Sequence, residues 1–276
     1  MTFKTLRNRA PRPAARGFGT AVRLTVLALL VAVLASGCKL STFGLPHPIT
    51  PQGERTANLW TGSWIAALAV GGGTWALIFI AVVRYRKRSD ELPSQVRYNL
   101  PVEVLYTVLP FIIVAGLFYF TARDESYLDK TTAHPAISIG VIGFRWNWQF
   151  RYLDPNDPNK VIGQVTGRPG EPAQLVLPTG RSVRFIETSP DVIHSFWVPE
   201  FLFKRDVIPG RVNQFEISEI TKTGTFVGRC AELCGTDHDR MNFYLKVVPP
   251  AEYDAMMQRL QSTASAAGPT TTGSRS

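Results

Sequence analysis

Two long runs without a charged side chain constrain this chain more than any other feature. Residues 56–83 carry no charge, and neither do residues 104–122. Each run is long enough to cross the hydrocarbon core of a bilayer as a helix. Pro110 in the second run is compatible with a membrane helix whose neighbours satisfy the freed carbonyl. The sequence therefore predicts two transmembrane helices, over 59–83 and 102–122.

The segment between the two runs is basic. Residues 84–101 hold five Lys or Arg side chains and two acidic ones. Because short cytoplasmic loops carry an excess of positive charge, this loop is expected on the cytoplasmic side. Both ends of the mature chain then face outside, and the two helices form a membrane hairpin.

The N-terminus has the pattern of a secretory leader. Residues 1–37 hold six basic and no acidic side chains, and LTVLALLVAVLASGC follows Arg23. A basic stretch, a short apolar run and small residues in this order are typical of a signal peptide. LASGC resembles the lipobox of bacterial lipoproteins, which implies cleavage after Gly37 and lipidation of Cys38; cleavage by another peptidase is the alternative. The uncharged run argues against a mitochondrial transit peptide.

The net charge of +9 does not indicate a nucleic-acid-binding protein. Nucleic-acid binders concentrate basic charge on the folded domain. Here the excess lies in the leader and beside the membrane, whereas residues 104–276 hold 17 basic and 17 acidic side chains. With 45% hydrophobic and 18% charged residues, the composition favours a membrane protein with a folded soluble part.

The chain beyond the second run changes character. Short apolar runs rich in Val, Ile, Phe and Trp alternate with turn sequences such as DPNDPNK and RPGEP. This pattern predicts an all-β sandwich or barrel. The expected organisation is a signal peptide over 1–37, an outer segment over 38–58, a helix over 59–83, a cytoplasmic loop over 84–101, a helix over 102–122, the β domain over 130–250, and a closing helix with a disordered tail over 251–276.

Four side chains with metal-binding atoms lie close together in the segment CAELCGTDHDRM, residues 230–241. Thiolate and thioether ligands with imidazole select copper. A disulfide between Cys230 and Cys234 would leave His238 and Met241 unexplained, and a structural zinc site has no use for a thioether. A mononuclear blue-copper site uses one cysteine, whereas two thiolates in one loop can bridge two copper ions. Gly235 permits a tight turn there.

A dinuclear site needs a second imidazole from elsewhere in the chain. The sequence has four histidines, His47, His134, His194 and His238. His134 is expected at the surface. His194, in SPDVIHSFWVPE, stands at an expected strand end 36 residues before Cys230 and is the predicted second ligand; a hydrogen-bonded core histidine is the alternative.

Several segments together resemble subunit II of cytochrome c oxidase: DVIHSFWVPEFLFKRDVIPGR, CAELCGTDHDRM, GFRWNWQF and LPVEVLYTVLP. The resemblance covers the chain from about 55 to 255. It implies a membrane-anchored all-β fold in which a two-helix transmembrane hairpin precedes a cupredoxin-like Greek-key β-barrel. It also implies the dinuclear copper centre called CuA.

The resemblance assigns the ligands residue by residue. Cys230 and Cys234 become bridging ligands, and His194 and His238 become the terminal nitrogen ligands. The weak ligands are Met241 and the backbone carbonyl of Glu232. The Glu232 side chain is implied to bind a magnesium ion shared with subunit I, a hard ion that a carboxylate suits; a solvated loop residue is the alternative.

Five further positions match functional residues of the family. Trp146 matches the electron-entry residue and Glu103 a carboxylate at a proton-channel entrance; a packed strand aromatic and a helix-start acid are the alternatives. Asp191 matches a residue implicated in docking cytochrome c. Asp206 and Arg211 match the contact with subunit I near the haem propionates, where a turn salt bridge is the alternative. Trp148 is expected to pack beside the copper site.

The resemblance implies a subunit of a proton-pumping oxidase in a bacterial plasma membrane. Electrons would come from cytochrome c or a cytochrome c domain of a bc complex and pass to haem a, with haem a and CuB in subunit 1 and subunit 3 as a further partner. A quinol oxidase subunit would lack the copper ligands, and nitrous oxide reductase needs a second, histidine-rich cluster. The two membrane helices argue against a free-standing blue-copper carrier. Because C-x-x-C-H does not occur, no c-type haem is expected on this chain.

Overall fold

The computed structural model describes residues 42–266 except 93, 155–156 and 169, together with residues 25, 26 and 29. The predicted cleavage site and Cys38 lie outside the described residues, as does the end of the tail from 267. Two long helices come first, α1 over Pro51–Arg84 and α2 over Leu100–Leu128. Among the described residues, ten strands and a closing helix, α3 over Pro250–Ala266, follow them.

Both long helices begin at polar caps. The Thr50 hydroxyl accepts a hydrogen bond from Gly53 N at 3.0 Å, and Pro51 occupies the first helical position, where it lacks only an N–H that would be unpaired anyway. Asn99 caps α2, and the helix continues through Pro110. Both helices therefore begin before their predicted spans, and both continue past the ends of their uncharged runs.

The two helices have the length and composition of membrane spans. Their most apolar windows have a mean hydropathy of 2.1, and neither window is buried against the rest of the protein. A helix that exposes apolar side chains all round in this way requires an apolar surrounding. The two helices are therefore consistent with the membrane spans expected from the uncharged runs.

The strands form two five-stranded sheets. Their bounds are β1 Ile137–Phe144, β2 Asn147–Asp154, β3 Asp157–Thr166, β4 Gln174–Pro178, β5 Val183–Thr188, β6 His194–Val198, β7 Phe203–Val207, β8 Asn213–Ile217, β9 Gly224–Cys230 and β10 Asn242–Val248. One sheet has the order β3-β2-β1-β5-β8 and the other β4-β10-β9-β6-β7. The β1–β5 and β4–β10 pairs are parallel and the others antiparallel. The expected fold class, a two-helix anchor followed by a cupredoxin-like β domain, is confirmed.

Aromatic side chains join the two sheets. Phe196 on β6 stacks on Phe243 at 4.9 Å between ring centroids and meets Phe185 of the opposite sheet at 5.3 Å. Trp148 and Phe150 on β2 complete this layer, and all five rings are buried. Each fully buried side chain of this size contributes about 1.5–3 kcal/mol, so this layer is a major source of the domain's stability.

Hydrogen bonds join the β domain to the helix hairpin, both before α1 and after α2. Before α1, Ile49 N donates to Glu200 O at 3.1 Å and Ile49 O accepts from Thr221 N at 2.8 Å. After α2, Asp129 accepts from Arg205 at 2.6 Å, and Thr132 donates to the Glu216 carboxylate from both its backbone nitrogen and its hydroxyl. Both connections are therefore ordered polar contacts.

Candidate metal centre

Three strands bring the predicted copper ligands together. Cys230 ends β9, and the segment 231–241 leads into β10 with a short 3-10 helix over His238–Arg240. Because β9 and β10 pair antiparallel, both ends of this loop are fixed. His194 begins β6, which pairs with β9 through the Phe196–Cys230 register. Sheet register therefore places His194 beside Cys230, although 36 positions separate them in the sequence.

The ligand atoms form one cluster. Cys230 Sγ lies 3.9 Å from Cys234 Sγ and 3.9 Å from His194 Nδ1. Cys234 Sγ lies 3.6 Å from His238 Nδ1 and 3.7 Å from Met241 Sδ. Each thiol therefore has one imidazole nitrogen beside it, His194 next to Cys230 and His238 next to Cys234.

The sulfur separation is that of two free thiols. Cys230 and Cys234 are both free and buried, whereas sulfurs in a disulfide lie about 2.05 Å apart. Metal–thiolate bonds are about 2.3 Å long, so two sulfurs 3.9 Å apart can both ligate the same ion. The ligand atoms of His194, Cys230 and Cys234 all lie within 4.8 Å of one another, and this arrangement can hold a metal ion.

Asp191 determines the orientation of the His194 ring. His194 is completely buried, and its Nε2 lies 2.9 Å from Asp191 Oδ1. That contact leaves Nδ1 directed at Cys230. Metal-binding histidines commonly donate their second ring N–H to a carboxylate in this way. Asp191 also accepts from the backbone nitrogens of Arg145 and Val192, at 2.8 and 2.6 Å.

The same contacts shift the pKa values of this pair. Burial of Asp191 opposes ionisation, but the Arg145 N–H, His194 and the Val192 N–H outweigh it and lower its pKa to about 2. Burial likewise disfavours the charged form of His194, whereas Cys230 and Asp191 favour it and raise its pKa overall. Both shifts favour the charged forms of the pair, the Asp191 carboxylate and the protonated His194 ring.

The two thiols ionise at different pH. Burial raises the pKa of Cys230, but His194 and the backbone groups of Glu232 and Ser195 lower it by a larger amount. The pKa is therefore about 7, below the ordinary value of a cysteine. Burial and the charge of Cys230 raise the pKa of Cys234 to about 12. One thiol of the pair therefore ionises more easily than the other, and a bound cation would favour the loss of the second proton.

Two tryptophans border the cluster. The Trp146 indole is partly exposed and donates to Cys234 O at 3.1 Å. Trp148 is fully buried and donates to Met241 O at 3.3 Å, which matches its expected packing role. Gly235 has φ +120°, and a Cβ there would lie 3.1 Å from the Trp146 indole nitrogen, so glycine is required for both reasons.

Glu232 presents its backbone carbonyl to Cys230. Glu232 O lies 3.2 Å from Cys230 Sγ. The residue is half-buried. This is the carbonyl that the resemblance implies as a weak copper ligand.

The remaining predicted residues belong to other parts of the described chain. Glu103 lies near the start of α2, where its Oε1 accepts a hydrogen bond from Asn99 N at 3.0 Å. Asp206 lies on β7, and the exposed Arg211 follows that strand beside a cavity that both residues line. His134 is exposed, as expected.

Sequence reasoning missed two features of the site. It gave Asp191 a docking role and did not anticipate its contact with His194. It also passed over Gly143 on β1, where a Cβ would lie 3.2 Å from the His194 side chain. Asp191 stands three residues before His194, and that spacing was the available signal.

Comparisons with known proteins agree with this geometry. The family model described as cytochrome c oxidase subunit II, periplasmic domain, matches residues 137–248. The probable cytochrome c oxidase subunit 2 of Streptomyces avermitilis is 43% identical over 268 residues, covering 84% of each chain. Cytochrome c oxidase subunit 2 of Mycobacterium tuberculosis strain H37Rv is 38% identical over 308 residues, covering 90% of this chain and 85% of the relative.

One solved structure is similar to about half of this chain. The periplasmic domain of subunit II of cytochrome oxidase from Bradyrhizobium japonicum has 29% sequence identity and a TM-score of 0.42. It covers 48% of this chain and 99% of its own length.

Proposed function

The chain belongs to the cytochrome c oxidase subunit II family, and on that premise we propose that it is the electron-entry subunit of a proton-pumping haem–copper oxidase. In this role it accepts electrons from cytochrome c at a dinuclear copper centre and passes them to haem a in subunit 1. Oxygen is reduced to water in that partner subunit, which holds haem a and CuB. The domain's membership of the family implies copper binding.

The sulfur pair carries the proposal. Two buried free thiols 3.9 Å apart, each with an imidazole nitrogen within 3.9 Å, provide a symmetric donor set for two ions. Soft sulfur and imidazole donors together favour copper over hard cations. When bound, the copper pair would supply a one-electron carrier whose geometric change is spread over two metals.

The proposed ligands divide into strong and weak donors. Cys230 and Cys234 would be the thiolate ligands, and His194 and His238 would supply the imidazole ligands. Met241 Sδ and the Glu232 carbonyl, which approach the thiols at 3.7 and 3.2 Å, are the weak donors. The Asp191 carboxylate holds the His194 ring, and the Trp148 and Trp146 indoles hold the backbone of Met241 and Cys234.

Other residues are proposed to take part in electron entry, magnesium binding, contact with subunit 1 and proton entry. The partly exposed Trp146 is the proposed electron entry, supported by its hydrogen bond to the ligand loop. The Glu232 side chain is proposed to bind a magnesium ion shared with subunit 1. Asp206 and Arg211 line one surface cavity and are proposed to face subunit 1. Glu103 is proposed as a proton-channel entrance in addition to its contact at the helix start.

The proposed setting is a bacterial plasma membrane with the copper domain outside. The basic loop between α1 and α2 supports a cytoplasmic turn of a two-span anchor. Cleavage of the leader and lipidation of Cys38 remain proposals from the sequence. Subunits 1 and 3 are the proposed partners, and the donor is a cytochrome c or a cytochrome c domain of a bc complex.

Electron paramagnetic resonance of the copper-loaded full chain in detergent tests the proposal. Hyperfine structure from two equivalent copper nuclei, with two copper ions per chain by metal analysis, is the expected result. Cys234→Ser should reduce the site to a single copper nucleus, while Cys38→Ser should leave the spectrum unchanged. A single-copper spectrum in the unaltered chain, or a disulfide between Cys230 and Cys234 in the native protein, would refute the dinuclear assignment.

A further inference from the structure

A basic cavity lies at the end of the helix hairpin nearest the β domain. It measures about 550 Å³, and its lining includes Arg55, Arg123, Asp124, Tyr127 and Lys130. Arg55 comes from the first turns of α1, whereas the other four come from the last turns of α2 and the residues after it. The antiparallel helices therefore gather these side chains at one level.

Positive charge exceeds negative charge in this cavity. Asp124 is only 5% exposed, and its Oδ1 accepts from Arg55 Nη1 and from Arg123 Nε and Nη2, each at 3.2 Å. One carboxylate thus faces two guanidinium groups, and Lys130 adds a third cation. Each guanidinium has five N–H donors, so the contact with Asp124 leaves donors for a second anion.

The Arg55 guanidinium is held in place from a second side. Its Cζ lies 3.9 Å from the centre of the Tyr127 ring, a cation–π contact. Its side chain nevertheless keeps 41% exposure, and that of Arg123 keeps 52%. The two cations are therefore positioned by the fold and still accessible from the cavity.

An apolar groove continues from this cavity between the two helices. It measures about 460 Å³ and shares Asn58, Arg123 and Asp124 with the basic cavity. Deeper positions include Gly62 and Gly116, and a Cβ built at either glycine would meet no atom within 4 Å. Open space therefore adjoins both glycines along the groove.

The depth of the cavity matches that of lipid phosphates. The uncharged residues 104–122 that precede Arg123 span about 28 Å at 1.5 Å per residue, close to the hydrocarbon thickness of about 30 Å. Arg123 therefore lies at the boundary between hydrocarbon and headgroups, with the groove on the hydrocarbon side.

We propose that this cavity and groove form a binding site for one anionic phospholipid. Its phosphate is recognised by Arg55, Arg123 and Lys130, and one acyl chain lies in the groove along Gly62 and Gly116. The excess of positive charge selects a lipid with net negative charge over a zwitterionic one. This lipid site shares no residue with the copper centre.

Native mass spectrometry of the full chain tests this site. The chain is delipidated in detergent and titrated with phosphatidylglycerol or with phosphatidylcholine. One phosphatidylglycerol per chain should bind more tightly than phosphatidylcholine. Arg123→Gln combined with Lys130→Gln should weaken that binding about ten- to thirty-fold, since each cation near an anionic headgroup contributes about 1 kcal/mol. Arg55 remains in this variant to neutralise the buried Asp124.

The matched control removes the same charge at the opposite end of the hairpin. Arg86→Gln with Arg88→Gln, two exposed residues between the helices, should bind phosphatidylglycerol as the unaltered chain does. Gly116→Leu provides an independent test, because it fills the groove without changing the charge and should also lower phosphatidylglycerol binding. Equal binding by the unaltered chain and both site variants overturns the proposal. So does a map of the assembled oxidase in which a partner protein fills the cavity.

Discussion

The indole nitrogen of Trp146 donates a hydrogen bond to the backbone oxygen of Cys234 at 3.1 Å. A partly exposed aromatic ring is thereby bonded directly to the loop that carries both thiols. Gly235, the residue after Cys234, has the positive φ that allows this close approach.

Replacing Trp146 tests its proposed role in electron entry. Trp146→Phe keeps a ring and removes the hydrogen bond to Cys234, so we expect slower reduction of the copper site by cytochrome c in stopped-flow measurements. Loss of the bond should also lower the free energy of unfolding by about 1 kcal/mol. Trp197→Phe, at a partly exposed strand position, is the control. Equal reduction rates in the two variants would show that electrons enter elsewhere.

Asp191 is expected to control copper affinity through His194. Asp191→Asn keeps the size of the side chain but weakens the bond that orients the imidazole. Loss of such a partner lowers metal affinity about 10- to 100-fold. Competition titration with a copper chelator measures this change. Asp239→Asn, an exposed change in the same loop, should have no effect. Unchanged affinity in Asp191→Asn would leave Asp191 with only its docking role.

Gly228 is required for packing beneath the site. A Cβ there would clash with Cζ of Phe243, a rigid ring in the aromatic layer between the sheets. Gly228→Ala should therefore lower the free energy of unfolding by about 1–3 kcal/mol. Gly140→Ala on β1 is the matched control, because its Cβ would meet its nearest neighbour at an ordinary 3.4 Å. Denaturant unfolding of both variants makes the comparison, and similar losses would contradict it.

Glu187 makes stability depend on pH. Its side chain is fully buried, and no donor among the described residues reaches either carboxylate oxygen. Burial raises its pKa well above the usual range; Arg205 opposes this shift and Asp206 adds to it. The folded chain therefore keeps the proton after the unfolded chain has lost it, and stability falls as pH rises between the two pKa values.

Glu187→Gln removes this titration. The unaltered chain should lose stability relative to the variant by up to about 1.4 kcal/mol per pH unit above the pKa of about 4.3 for an unfolded glutamate. Thermal unfolding of both proteins in detergent between pH 5 and pH 8 measures the difference. Glu219→Gln, at an exposed position, should follow the unaltered chain. Parallel curves for Glu187→Gln and the unaltered chain would mean that Glu187 is ionised when folded.

The sequence predicted the features that depend on local pattern. Uncharged runs identify the helices, and the spacing from Cys230 to Met241 identifies the ligand loop, since both are properties of contiguous residues. The contact of His194 with Cys230 was predicted from the chemistry of the ligand set and the resemblance. Its geometric cause, the pairing of β6 with β9, is a long-range register that composition does not reveal.

Other contacts depend on orientation that the sequence does not encode locally. The joint contact of Arg55 and Arg123 with Asp124 requires the rotation of α1 against α2, which is set by packing. Glu187 is a different case, because Val183, Phe185 and Glu187 alternate along β5 and share its buried face. That alternation would have predicted a buried carboxylate.

Hydrogen bonds hold the β domain to the anchor on both sides of the hairpin. They join Ile49 to Glu200 and Thr221, and Asp129 to Arg205. A domain on a loose tether would vary its height above the lipid surface. Here two separate attachments restrict that height, and with it the position of the sulfur pair. A redox partner embedded in the same bilayer would therefore find the sulfur pair within a narrow range of distances.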